Sequence, residues 1–185
     1  MEELFKAGKI RAYGLSNETA WGLCEFTRLA REHGLPPPAS VQNGYSLVNR
    51  MFDGDLAEAS RRVNVPLLAY SPLAMGLLSK KMKSKPWPGE ARLQKFADFG
   101  ERYKRQRVLA AVDEYHRIAE KHRLPLAGVA LAFARSRFFT ASTIIGATST
   151  AQLEELSGFF GMNLPKEIQA DIEAVNAVYP SPCAQ

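Results

Sequence analysis

Hydrophobic and polar positions along the chain fall into two alternating periods. Four short runs are enriched in β-branched or aromatic residues and bounded by turn formers: 9–16 (KIRAYGLS), 39–46 (ASVQNGYS), 65–70 (VPLLAY) and 141–146 (ASTIIG). Runs of this kind predict strands. Between and after them the apolar residues recur at helical spacing. Segment 18–33 places Leu23, Thr27 and Ala30 on one side and stops at Gly34. Segment 52–63 does the same with Leu56, Ala59 and Val63. Segment 103–122 carries a stripe of Val108, Val112, Tyr115 and Ala119, and 126–137 adds Val129, Ala130 and Phe133. Two helices follow at 151–159 and 166–178. The last has Pro165 at its start, Ile168, Ile172 and Val175 along its stripe, and Pro180 beyond its end.

Strand and helix in alternation predict an α/β fold with a parallel sheet. Right-handed crossovers then bring every strand C-terminus to one edge, where ligands bind in such folds. Ser16, Asn17, Gln42, Ser71 and Thr148 all fall at or just past predicted strand ends. Turn chemistry is the other account of these polar residues, since Ser, Asn and Thr also stabilise turns locally. Segment 76–102 has weak periodicity and holds Pro86, Pro88 and Gly89; a loop of that length is a lid, a binding loop or disordered.

The size of 185 residues suits one domain spanning 1–185. The opening residues form no apolar signal-peptide core, and no stretch approaches the length of a membrane span. Cys24 and Cys183 lie far apart, which fits a reduced intracellular compartment better than a disulfide framework, so a cytoplasmic protein is expected. The net charge of +5 is uneven: ten Lys or Arg face three acids between 80 and 107. Such a stretch is a nucleic-acid face, an anion site or a solvated surface. No interleaved aromatics and no zinc-finger spacing accompany it, so neither nucleic acid nor membrane is expected as a partner.

Four strings, in order, carry a resemblance. GKIRAYGLSN at 8–17, SVQNGYSLVNR at 40–50, LLAYSPLAMGLLSKK at 67–81 and STIIGATSTAQLEEL at 142–156 resemble strands five to eight of aldo-keto reductases, in the potassium-channel β-subunit-like branch. LPKEIQADIEAV, ending in VYP, resembles the family's terminal helix. The resemblance implies a partial (β/α)8 TIM barrel, N-terminally truncated, and hydride transfer between NADP(H) and a small-molecule carbonyl substrate. It implies that Tyr70 stacks on the nicotinamide and that Ser16, Asn17 and Gln42 hydrogen-bond its carboxamide. It gives the pyrophosphate to Ser71, Pro72, Leu73, Ala74 and Met75, with Lys81 and Arg92 as phosphate cations. Gly146, Thr148, Gln152 and Glu155 match the adenosine end, at a helix N-terminus suited to phosphate.

Some positions depart from the family pattern. Leu156 stands where an Asn is common, and no Arg or Lys in 148–156 matches a 2′-phosphate reader. Lys80 and Met82 replace a Gly and a Tyr. Ser149 and Gln152 also read as a capping box. The family's catalytic Asp, Tyr, Lys and His have no matching positions here, and His33, His116 and His122 lie in no motif. The chain alone is therefore expected to be inactive. The alternative is a non-catalytic nucleotide-binding or interaction half-barrel, whose open strand edges invite self-association or pairing with an N-terminal half.

Overall fold

The computed structural model describes residues 1–79, 87, 89, 91–95 and 100–183. Four strands, β1 (Leu15–Ser16), β2 (Val41–Gly44), β3 (Leu67–Tyr70) and β4 (Thr140–Thr143), form one parallel sheet in the order of the chain. This is the α/β arrangement expected of half a (β/α)8 barrel. Among the described residues no helix is long and apolar enough to cross a membrane.

The sheet's alternation sets its two faces. Val41, Leu67 and Ala69 are fully buried beneath helices, while Gln42, Leu68 and Tyr70 on the opposite face are half-buried. Register aligns Ser16 with Gln42, Gln42 with Leu68 and Leu68 with Ser142, so these four share that second face. A register irregularity between Leu67 and Leu68 offsets β4 by one residue.

Helices α1 (Glu2–Lys6), α2 (Ala20–Glu32) and α3 (Asp55–Val63) precede β3. Thr19 caps α2, its side chain accepting from Gly22 N. Between β3 and β4 lie the short α4 (Arg92–Lys95) and α5 (Glu101–Lys104), then α6 (Gln106–Lys121) and α7 (Leu126–Arg135). Residues 126–134 of α7 are buried throughout, as its almost wholly apolar composition dictates. Helices α8 (Thr150–Ser157) and α9 (Lys166–Val178) close the described chain.

Three sequence expectations need correction. The first strand was expected over 9–16, but only Leu15–Ser16 is strand. Among the described residues β1 has β2 as its one neighbour, and Lys9 N donates to Leu4 O of the preceding helix at 2.9 Å rather than to a strand; Tyr13 O still accepts from Ala39 N at 2.8 Å. The helix expected over 103–122 is two helices, because Arg105 takes an extended conformation between them (ψ 138°). Segment 76–102 is not wholly irregular, since α4 and the start of α5 fall within it.

Candidate functional site

The C-terminal ends of β1 and β3 meet through side chains. Tyr70, the last residue of β3, donates its hydroxyl proton to Asn17 Oδ1 at 2.8 Å, and Asn17 Nδ2 reaches Ser16 Oγ at 3.4 Å. Gln42 lies beside Ser16 in register, one strand over. Four residues expected at the nicotinamide end thus share one rim. Asn17 takes a left-handed conformation (φ 53°), which its short amide tolerates. The turn after it is pinned by Asn43, whose Oδ1 accepts from Glu18 N at 3.1 Å and whose Nδ2 donates to Glu18 O at 2.9 Å.

Left-handed backbone concentrates here. Of the residues expected to bind, Asn17, Ser71, Ala74 and Met75 all have φ between 48° and 59°. Non-glycine residues adopt this region at a cost, and such strain gathers at ligand sites. The turn following Tyr70 is held by hydrogen bonds from Ala74 N to Ser71 O and from Gly76 N to Leu73 O. Pro72 and Ala74 are buried. Leu73 packs against a small apolar cluster of Ala127, Leu131 and Leu156, which also takes in Ile145. That contact joins the turn after β3 to the β4 exit and α8. It also explains Leu156: the position serves the core, not a hydrogen bond to adenine.

At the α8 end, capping is the visible chemistry. Ser149 Oγ accepts from Gln152 N at 3.3 Å, and Gln152 Oε1 accepts from Thr148 N at 2.9 Å and Thr148 Oγ1 at 3.1 Å. The Gln152 amide protons remain for other partners. Gly146, Thr148 and Glu155 are exposed at this end. Arg92 begins α4, is exposed, and is not among the residues lining the cavity described next. Lys81 lies outside the described residues, as do Lys80 and Met82.

Beside Tyr70 is a cavity of about 400 Å³, lined by Tyr70, Ser71 and Met75 on one side and by Gly100, Glu101, Arg102 and Tyr103 on the other. The second group was not found from sequence. It sits where periodicity fails, and only the fold brings it to the rim. Arg102 Nη2 donates to Tyr103 Oη at 3.4 Å. Burial works against charge on Arg102, yet the Tyr103 and Tyr70 oxygens hold its pKa above the ordinary value. Burial, reinforced by the nearby Cys183 thiol, raises that of Tyr103.

A second polar group, also missed, fixes the loop after β2. Residues 45–50 are all buried. Tyr45 donates to Asp53 Oδ1 at 2.5 Å, Arg50 reaches Asp53 at 2.6 Å and Glu173 at 2.8 Å, and Arg137 reaches Glu173 at 3.0 Å. Burial and the Asp53 carboxylate push the Tyr45 hydroxyl far above its usual range. The C-terminal segment adds Cys183 N donating to Val48 O at 2.9 Å. Among the described residues no group of three or more His, Cys, Asp and Glu could hold a metal ion.

Comparison with known proteins gives the same frame. The model of the "Aldo/keto reductase family" matches residues 1–177. "Protein tas" of Escherichia coli is 43% identical over 182 residues, covering 98% of this chain and 52% of that protein. An "Aldo-keto reductase" of Babesia bovis is 39% identical over 160 residues, 84% of this chain and 56% of its own length. The "Uncharacterized oxidoreductase YrpG" of Bacillus subtilis is 29% identical over 182 residues. The chain spans about half the length of the curated relatives it matches. With strand order, rim and family match in agreement over nearly its whole length, the chain belongs to the aldo/keto reductase family.

Proposed function

We propose that this chain supplies the NADP(H)-binding half of an aldehyde or ketone reductase, and that it carries no catalytic Asp, Tyr, Lys and His set of its own. The reading rests above all on the junction of Tyr70 with Asn17 at 2.8 Å, flanked by Ser16 and Gln42. An aromatic face bordered by amides and hydroxyls suits a nicotinamide carboxamide, which needs both donors and acceptors. The left-handed turn at Ser71 to Met75 offers backbone N–H groups to a diphosphate. The α8 N-terminus takes the adenosine end, with Thr148, Gln152 and Glu155 beside it. The dinucleotide supplies a hydride to a carbonyl carbon when bound; these residues orient it and shield one ring face. We place the protein in the cytoplasm, with its thiols Cys24 and Cys183 unpaired, and read 1–185 as one domain.

We also propose that β1 and β4, as outer strands of a parallel sheet, pair with other chain: a second copy or an N-terminal half-barrel.

Titration of the full chain with NADPH and with NADH by calorimetry tests the cofactor reading. NADPH binding that weakens about tenfold or more in Tyr70→Ala is expected, since base–aromatic stacking contributes about 1–3 kcal/mol. No heat and no shift for either dinucleotide sinks the reading, and NADPH-dependent carbonyl reduction by the pure chain sinks the claim that it lacks the catalytic set.

A further inference from the structure

Asn17 keeps a left-handed backbone (φ 53°) while its side chain accepts from the Tyr70 hydroxyl. That conformation needs support from both sides. On the N-terminal side Asn17 N donates to Gln42 O at 2.9 Å. The register pairs of β1 and β2 end with Ser16 and Gln42, so the next grip comes from a side chain. Asn43 Oδ1 accepts from Glu18 N at 3.1 Å, and Asn43 Nδ2 donates to Glu18 O at 2.9 Å. An amide side chain has both donors and an acceptor, so Asn43 satisfies both backbone groups of one residue, as a neighbouring strand would. The two peptide units flanking Asn17 are thereby each anchored to β2, which leaves its φ and ψ little freedom. Asn43 stands on the same sheet face as the fully buried Val41, opposite Gln42 and the rim. It therefore acts on a rim ligand only through Asn17. Support of α2 is the competing account, since Glu18 precedes the Thr19 cap and Glu18 Oε1 accepts from Thr19 N at 2.8 Å.

We propose that Asn43 is a positioning residue for the nicotinamide end: by gripping Glu18 it sets the Asn17 backbone, and with it the amide that receives the Tyr70 hydroxyl. The proposal rests on the dinucleotide reading above and adds to it a residue that meets no ligand. Without the grip Asn17 relaxes to right-handed or extended backbone, which a non-glycine residue adopts more readily, and its amide swings away from Tyr70. The ring and its amide partner then lose their common geometry. The turn at Ser71 to Met75 and the α8 N-terminus are untouched, so the loss falls on the nicotinamide end of the dinucleotide alone.

The test uses the full chain, isotopically labelled, with Asn43→Ala, Asn43→Asp and Thr19→Ala. Asn43→Asp keeps the shape of the side chain but sets an acceptor against Glu18 O, and it supplies the comparison if the alanine variant does not fold. Thr19→Ala removes the α2 cap and leaves the grip intact. Calorimetry measures NADPH and 2′-phospho-ADP-ribose, which lacks the nicotinamide, and NMR follows the φ-sensitive coupling of the Asn17 amide. Both Asn43 variants should weaken NADPH about tenfold, as the loss of the paired hydrogen bonds implies. They should leave 2′-phospho-ADP-ribose binding unchanged and move the Asn17 coupling from its wild-type value. Thr19→Ala should lower the melting temperature and leave both affinities unchanged. Equal weakening of the two ligands, or the same NADPH loss in Thr19→Ala, makes Asn43 a support of the fold and overturns the proposal. Unchanged NADPH affinity or an unchanged Asn17 coupling in the Asn43 variants overturns it as well. If the wild type binds neither ligand, the dinucleotide reading falls; a moved Asn17 coupling then upholds the grip on Asn17, and an unmoved one overturns it.

Discussion

Cys183 has no exposed surface, and burial pushes its thiol up to about 11 against the opposing pull of Arg102 and Arg105. Cys24 lies exposed on α2. Only a thiolate reacts readily with an alkylating agent. At pH 8 the native protein should therefore consume one equivalent of iodoacetamide, at Cys24, and a second only after denaturation. Mass-spectrometric mapping that found Cys183 modified at a rate near that of Cys24 would refute its burial. The sign of the pH effect follows. A raised pKa stabilises the fold below the thiol's ordinary value of 9.0, and that contribution is lost as pH climbs through about 11. Tyr103, Tyr45 and Tyr115, all raised chiefly by burial, act in the same direction. The melting temperature should fall on the alkaline side.

Among elements, the end of β2 shows how closely the sheet and the rim are joined. A Cβ at Gly44 would stand 3.2 Å from two ring carbons of Tyr70 and 3.1 Å from Asn49 Nδ2. Gly44 has Tyr70 as its register partner, so the ring lies over a position with no side chain. Gly44→Ala should displace the ring, weaken its bond to Asn17, and lower NADPH affinity several-fold while costing about 1–3 kcal/mol of stability as a small overpacking. Unchanged NADPH affinity, measured by fluorescence titration, would show that the ring is not held for the cofactor. Elements of this kind were unevenly legible in the sequence. Helix α9 was read at its observed bounds because Pro165 and the Ile168–Ile172 stripe mark it locally. The second and third strands lie within two residues of the sequence expectation at each end, since turn formers bound runs enriched in β-branched and aromatic residues there. The edge strand was overextended because propensity does not report whether a neighbour exists. Ser16, Asn17, Gln42 and Tyr70 were legible as a set through family strings. Arg102 and Tyr103 were not, because their place beside Tyr70 is a tertiary fact with no period or motif behind it.

For the whole molecule, the decisive feature is a parallel sheet with two outer strands. In a closed barrel the row Ser16, Gln42, Leu68 and Ser142 would point inward, yet here Ser16 and Ser142 are exposed. Apolar side chains are exposed along the flanking helices as well: Trp21 at 76% and Phe26 at 45% on α2, with Leu153 at 49% on α8 and Phe160 at 58% just past it. Unpaired backbone at an edge and apolar surface beside it favour association by the same step, since a partner strand carries its own helix with it. Edge strand β1 is only two residues long, which weakens it as a template, so β4 should be the stronger of the two edges. The isolated chain should therefore sediment as a concentration-dependent mixture of monomer and larger species at micromolar concentration. Placing Lys at Ser142, in the middle of β4, should shift that mixture toward monomer without lowering the melting temperature by much, since Ser142 is exposed. A single monomeric boundary at every concentration, together with one cooperative melt, would mean that the edges are satisfied within the chain, and the pairing proposal would fail.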